Sequence, residues 1–156
     1  RPIHIRACAD ITPPVRSFSE LGLCPQLVRA AAAHAWETPT VVQHQTIPVI
    51  LSGADCWAEA PTGSGKTAAF TLPLLQRLWK EEAVMCKRDV SAVILSPTRE
   101  LVTQTAKVMQ ALLHELNSRP GRDPLRVVAI HGGTSINGQL RSLDGGADVL
   151  VATPGR

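Results

Sequence analysis

Ala60-Pro61-Thr62-Gly63-Ser64-Gly65-Lys66-Thr67 is the stretch whose reading decides the fold. Gly63 and Gly65 permit positive φ and put no side chain in the way of a ligand. Successive backbone N–H groups in such a turn converge into an anion-binding nest. Lys66 supplies a compact positive charge for β- and γ-phosphates, and the Thr67 hydroxyl suits Mg2+. A helix opening at Lys66 adds the positive end of its dipole. The stretch therefore reads as a phosphate-binding loop, with Ala60 where a first glycine usually stands. A strand at 55–59 before it and an amphipathic helix at 66–80 after it are the surroundings such a loop requires. That helix carries Phe70, Leu74, Leu75 and Leu78 on one side and an irregularity at Pro73.

Upstream, residues 1–17 show neither helical nor strand periodicity and read as an extended lead-in. A helix is expected from Pro25 to Trp36, since proline suits a first turn and Ala30–Ala33 favour helix, with Pro39 ending it. Thr40 opens a second helix over 40–51, kinked or ended at Pro48. Downstream, Ser91-Ala92-Val93-Ile94-Leu95 is an apolar run that suits a strand buried on both faces. A long helix follows over 99–117, its stripe formed by Leu101, Thr105, Val108 and Leu112, widened by Val102, Met109, Leu113 and Leu116. Residues 117–124 are a loop by composition. Strands at 126–130 and 148–151 flank a short helix at 135–143. Strand alternating with helix indicates a doubly wound α/β fold, its sheet mainly parallel with helices on both faces. Loops that follow parallel strands share one edge of the sheet, where ligands bind in such folds.

The chain has 156 residues, one domain by length, with 44% hydrophobic and 19% charged residues and a net charge of +3. That balance is compatible with nucleic acid without a dense Lys/Arg block. The five aromatic residues, none of them Tyr, argue against a single-strand binder built as a stacking platform. Cys8, Cys24, Cys56 and Cys86 form no C-x-x-C pair, which argues against a zinc ribbon or redox dithiol and for a reducing, intracellular setting. The histidines have no metal-ligand spacing and read as structural or solvated. No apolar run reaches the ~18 residues of a membrane span. The chain opens at Arg1 and reads as a piece of something longer.

Five separated pieces, in order, resemble the first RecA-like lobe of a DEAD-box ATP-dependent RNA helicase. Phe18 with Trp36-Glu37-Thr38-Pro39-Thr40-Val41-Val42-Gln43 resembles the Q motif, and Ala60–Thr67 resembles motif I. Pro97-Thr98-Arg99-Glu100-Leu101 with Gln104 resembles motif Ia, Gly132-Gly133 the GG motif, and Thr153-Pro154-Gly155-Arg156 motif Ib. The likeness covers about residues 16–156. It divides the chain into a lead-in at 1–15, a Q-motif region at 16–44 and a partial helicase ATP-binding domain at 45–156. Ala60 is a common opening for this family's loop. Ala35 for the usual glycine, Trp36, Val41 and Val102 are mild departures.

The resemblance implies ATP with Mg2+ as cofactor, and RNA bound through its backbone with little sequence specificity. It makes Lys66 and Thr67 the catalytic pair of the loop, with Thr67 reaching Mg2+ through ATP, and the whole stretch Ala60, Pro61, Thr62, Gly63, Ser64, Gly65, Lys66 and Thr67 the phosphate cradle. Gln43 would bond the adenine edge, an amide matching its donor and acceptor, and Phe18 would stack on the base. Pro97, Thr98, Arg99, Gly132, Gly133, Thr153, Pro154, Gly155 and Arg156 would touch RNA. The Asp-Glu-Ala-Asp run that names the family does not occur here, nor do the second lobe and its arginine finger. The expected parent is an RNA-unwinding or RNP-remodelling ATPase whose first lobe is incomplete at the C-terminus here. The chain alone is then expected to hydrolyse little and to be marginally stable. The alternative is a non-catalytic nucleotide- or RNA-binding fragment or short isoform. The Q-motif, motif Ia and motif Ib pieces argue against a RecQ-like or AAA-type protein.

Overall fold

In a computed structural model, residues 3–6, 17–81, 89–117 and 124–155 of the chain are described. The chain separates into two compact units, Arg1–Arg77 and Leu78–Arg156.

In the first unit, β1 (Ile3–Arg6) runs parallel to β2 (Cys56–Glu59), with Ile3 opposite Cys56 and Arg6 opposite Glu59. The lead-in therefore contains a paired strand, where no strand period was expected: four residues are too few to establish one. A 3-10 helix, Phe18–Leu21, precedes α1 (Pro25–Ala33), and α2 (Val41–Leu51) packs on both strands. The helix α3 (Lys66–Glu81) begins immediately after the glycine loop. Leu27, Ile47, Leu72 and Leu75 are fully buried. Each contributes roughly 1.5–3 kcal/mol relative to an exposed position.

Three expectations are corrected here. α1 stops at Ala33, ahead of Trp36, and Pro39 is not what ends it. The Trp36 amide donates to the Ala31 carbonyl at 3.0 Å and the Ala35 amide to Ala32 at 2.9 Å, with Ala35 at φ 57°. That is a Schellman turn with alanine at the left-handed position where glycine is usual. Secondly, α2 does not end at Pro48 but runs on through it to Leu51, as α3 runs on through Pro73. Thirdly, α3 is buried around most of its circumference; Phe70 and Leu74 are only half-buried, while Ala68, Leu72 and Leu75 are inside. Gln76, 2% exposed, explains part of this. Its Oε1 accepts from the Cys24 amide at 2.5 Å and its Nε2 donates to the Gly22 carbonyl at 2.8 Å. One amide side chain thus holds the lead into α1 against α3 and satisfies two backbone groups.

In the second unit, three parallel strands lie in the order β3 (Ala92–Leu95), β5 (Val149–Ala152), β4 (Val127–Ile130). Ala92 and Val127 both face Val149. The helix α4 (Arg99–Leu116) packs on β4 and β5, and α5 (Ile136–Leu143) on β4. Asp148 ties the strand starts together: its Oδ2 accepts from the Arg126 amide at 2.6 Å, and its carbonyl from Ser91 and Ala92. On α4 the buried row is Val102, Thr105, Ala106, Met109, Leu112, Leu113 and Leu116. Leu101, expected in that stripe, is 43% exposed. The strand β3 is not buried on both faces: Val93 is 59% and Leu95 65% exposed, and no described residue covers them. An apolar run marks a strand without saying how many of its faces are covered. Residues 118–123, most of the expected loop, lie outside the described residues.

Candidate nucleotide and nucleic-acid sites

Ala60–Gly65 joins β2 to α3, as a strand–loop–helix phosphate site requires. Gly63 and Gly65 hold φ of 78° and 89°. Ala60 is not at positive φ, so its methyl group costs nothing where glycine is usual. Lys66 is the first residue of α3, and its Nζ donates to the Ala60 and Pro61 carbonyls at 2.6 Å each. The ammonium is thus folded back onto its own loop, against oxygens that a phosphate oxygen can replace. Two further observations show room for an anion. A side chain built on Gly63 would meet nothing within 4 Å, and the buried Ser64 hydroxyl has no partner. The Thr67 hydroxyl also bonds no described protein group. Lys66 and the loop amides fit a triphosphate, and Thr67 fits the metal it carries.

Gln43 is 4% exposed and joins the second helix to this loop. Its Oε1 accepts from the Thr40 amide at 2.9 Å, capping α2, and its Nε2 donates to the Gly65 carbonyl at 3.2 Å. One N–H and one oxygen lone pair remain unused, the pair an adenine edge takes. Phe18 is 2% exposed within the 3-10 helix, so its ring faces are taken up by protein.

The second group of candidates lies in the second unit. Because β3, β5 and β4 are parallel, Pro97-Thr98, His131-Gly132-Gly133 and Thr153-Pro154-Gly155 all leave the same edge of the sheet. The Ser96 amide donates to Ala152 at 2.9 Å and the Thr153 amide to Ile130 at 3.1 Å, lacing the three loops together. Thr98 caps α4, its hydroxyl accepting from the Leu101 amide at 3.3 Å. Arg99 follows at once, and its Nη1 lies 3.1 Å from where a Cβ on Gly133 would stand. Motif Ia and the GG turn are therefore neighbours. Arg99 Nε donates to Glu100 Oε1 at 2.6 Å, both side chains about two-thirds exposed. That hydrogen bond holds the Glu100 carboxyl below its ordinary pKa. Gly155 is at φ 93° with open space around it. Arg156 lies outside the described residues. Among the described residues no cluster of His, Cys, Asp and Glu could hold a metal by itself, and no helix is long and apolar enough to cross a membrane.

Residues 40–156 match the family model of the DEAD/DEAH box helicases. The chain belongs to this family. It is 41% identical over 140 residues to RNA helicase CrhR of Synechocystis, covering 90% of this chain and 26% of that protein. It is 38% identical over 143 residues to human probable ATP-dependent RNA helicase DDX46, covering 92% of this chain and 13% of that one. Among solved structures, Prp28 from Chaetomium thermophilum bound to ADP superposes with a TM-score of 0.79 at 38% identity, covering 96% of this chain and 35% of that. A DEAD-box protein from Methanococcus jannaschii gives 0.72 at 35% identity, covering 90% and 35%. This chain thus spans about a quarter or less of the curated relatives' length. As a DEAD/DEAH-box chain it has the RecA-like fold expected of it. Sequence reasoning left out one feature of its surface. Lys107 and His131 share a concavity with Arg99, and the only signal in the sequence was the i, i+4, i+8 spacing of Arg99, Thr103 and Lys107.

Proposed function

We propose that this chain is the ATP- and RNA-binding part of the first lobe of an ATP-dependent RNA helicase, working with a second RecA-like lobe. The observation that carries the reading is the hydrogen bond from Gln43 to Gly65, which ties an adenine-reading amide to the phosphate loop. Lys66 would exchange the Ala60 and Pro61 carbonyls for β/γ-phosphate oxygens, and Thr67 would hold Mg2+ through ATP. ATP supplies the phosphoanhydride whose cleavage drives remodelling. Pro97, Thr98, Arg99, Gly132, Gly133, Thr153, Pro154, Gly155 and Arg156 would carry the RNA backbone, contacts that position a strand without reading its bases. Phe18 would reach a base only if the 3-10 helix moved. The roles these residues would take are to bind and orient nucleotide, through Lys66, Thr67 and Gln43. The free thiols Cys24 and Cys56 support a reducing intracellular compartment.

The test is a pair of titrations on the full chain. Lys66→Ala is expected to weaken ATP binding more than tenfold and leave RNA binding near its original value. Arg99→Gln is expected to do the reverse. ATP affinity unchanged by Lys66→Ala would contradict the reading.

A further inference from the structure

A concavity of about 470 Å³ opens in the second unit, lined by Arg99, Glu100, Thr103, Gln104, Lys107 and His131. Arg99, Thr103 and Lys107 succeed each other at i, i+4 and i+8, one row along α4. The opposite face of that helix is fixed by buried Val102, Ala106 and Met109, so the row cannot rotate away. At 1.5 Å per residue, Arg99 and Lys107 stand ~12 Å apart along the helix axis. His131, at the start of the glycine turn, forms part of the lining.

We propose that this concavity is a further phosphate subsite for the RNA strand, with Lys107 as its cation. Lys107 is exposed and makes no hydrogen bond or ion pair with any described residue. Gln104, also exposed and unbonded among them, adds an amide donor. Arg99, by contrast, is already engaged by Glu100. An incoming phosphate meets, at one end of the row, a guanidinium engaged through its Nε and, at the other, an ammonium with no partner among the described residues. The lining carries two cations against one carboxylate, and it adjoins the edge where Gly133 meets Arg99. A strand laid on that edge therefore continues into the concavity, one nucleotide or more beyond the motif Ia contact. The subsite rests on the RNA-binding reading above.

The experiment measures a fluorescently labelled oligouridine binding to the full chain across a salt series. Lys107→Gln is expected to weaken binding about three- to tenfold and to flatten the log K against log salt slope by about 0.7, the loss of one single-strand phosphate contact. Lys107→Arg should restore both, and Lys80→Gln, on α3, should change neither. ATP binding by each variant verifies the fold. A slope unchanged by Lys107→Gln while Arg99→Gln lowers it overturns the subsite and leaves the RNA reading intact. If Arg99→Gln also has no effect, the RNA reading falls and the subsite with it.

Discussion

The Gln43 side chain and the Gly65 backbone are locked together: Nε2 donates to the carbonyl at 3.2 Å, and a Cβ on Gly65 would collide with that nitrogen. Gly65 is also at φ 89°, where an L side chain is strained in any surroundings. Gly65→Ala should therefore cost about 1–3 kcal/mol of stability and displace Gln43. A denaturant melt and an ATP titration should fall together. A variant with unaltered midpoint and affinity would show that the loop adopts another shape.

Gln43 serves two backbone groups through one amide, and its substitutions separate them. Gln43→Glu keeps an acceptor for the Thr40 amide but sets a carboxylate oxygen against the Gly65 carbonyl. We expect a loss of about 1–3 kcal/mol, because the Gly65 carbonyl loses its donor and a charge is placed in a buried site. Comparing the melts of Gln43→Glu and Gln43→Ala checks this. A Glu variant as stable as the parent would place the Gly65 contact outside the folded ensemble.

Ala35 holds a left-handed backbone at φ 57° to close α1. The same turn built on glycine is free of the Cβ clash, which costs ~1–2 kcal/mol in that region. Glycine returns part of that gain through a more flexible unfolded chain. Ala35→Gly should stabilise by ~0.5–1 kcal/mol, read as a higher denaturation midpoint with unchanged slope. A lower midpoint would mean that the stacking of His34 on Trp36, 5.1 Å between ring centroids, depends on the alanine.

Glu100 is held below its ordinary pKa by the Arg99 hydrogen bond. A depressed carboxyl favours the folded pair above its unfolded pKa and loses that contribution as pH falls through the lowered value. The pair should thus be intact at neutral pH, opening only in acid. A carboxyl-resolved NMR titration should give Glu100 a low pKa that returns to the ordinary range in Arg99→Ala. Glu100→Gln should free the guanidinium and tighten RNA binding a fewfold at low salt. Weaker binding would assign Glu100 a supporting contact instead.

The open face of β3 has a consequence for solubility. Val93 and Leu95 expose most of their surfaces on an edge strand. Paired apolar positions on such an edge invite self-association. Val93→Thr with Leu95→Thr should lower concentration-dependent light scattering while shifting the melting midpoint little. A large loss of stability would show that the two side chains are packed in solution.

How legible the molecule was depends on where each feature is encoded. The phosphate loop occupies eight contiguous residues whose types fix both geometry and chemistry, so it and its flanking strand and helix could be read directly. The Schellman turn at Ala35 could not, because its usual mark is glycine and alanine favours continuing the helix. Pro48 signalled a kink or an end and Pro73 an irregularity, yet both helices run on past them, because buried residues on either side, Ile47 before Pro48 and Leu72 and Leu75 around Pro73, hold each helix in place. Val93 and Leu95 read as core because hydrophobicity along a strand does not say what covers it. Gln43 was legible as a polar contact residue from its motif, but its bond to Gly65 spans 22 positions of sequence. The concavity at Lys107 depends on α4 and the β4–α5 turn coming together, which no local pattern reports.

The most direct test of the central claim is base selectivity at the site joined by Gln43 and Gly65. Titrating the full chain with ATP and GTP should show tighter ATP binding, and Gln43→Ala should collapse that difference while the phosphate contacts of Lys66 persist. Equal affinity for the two nucleotides in the parent chain, or a preference that survives Gln43→Ala, would contradict the account.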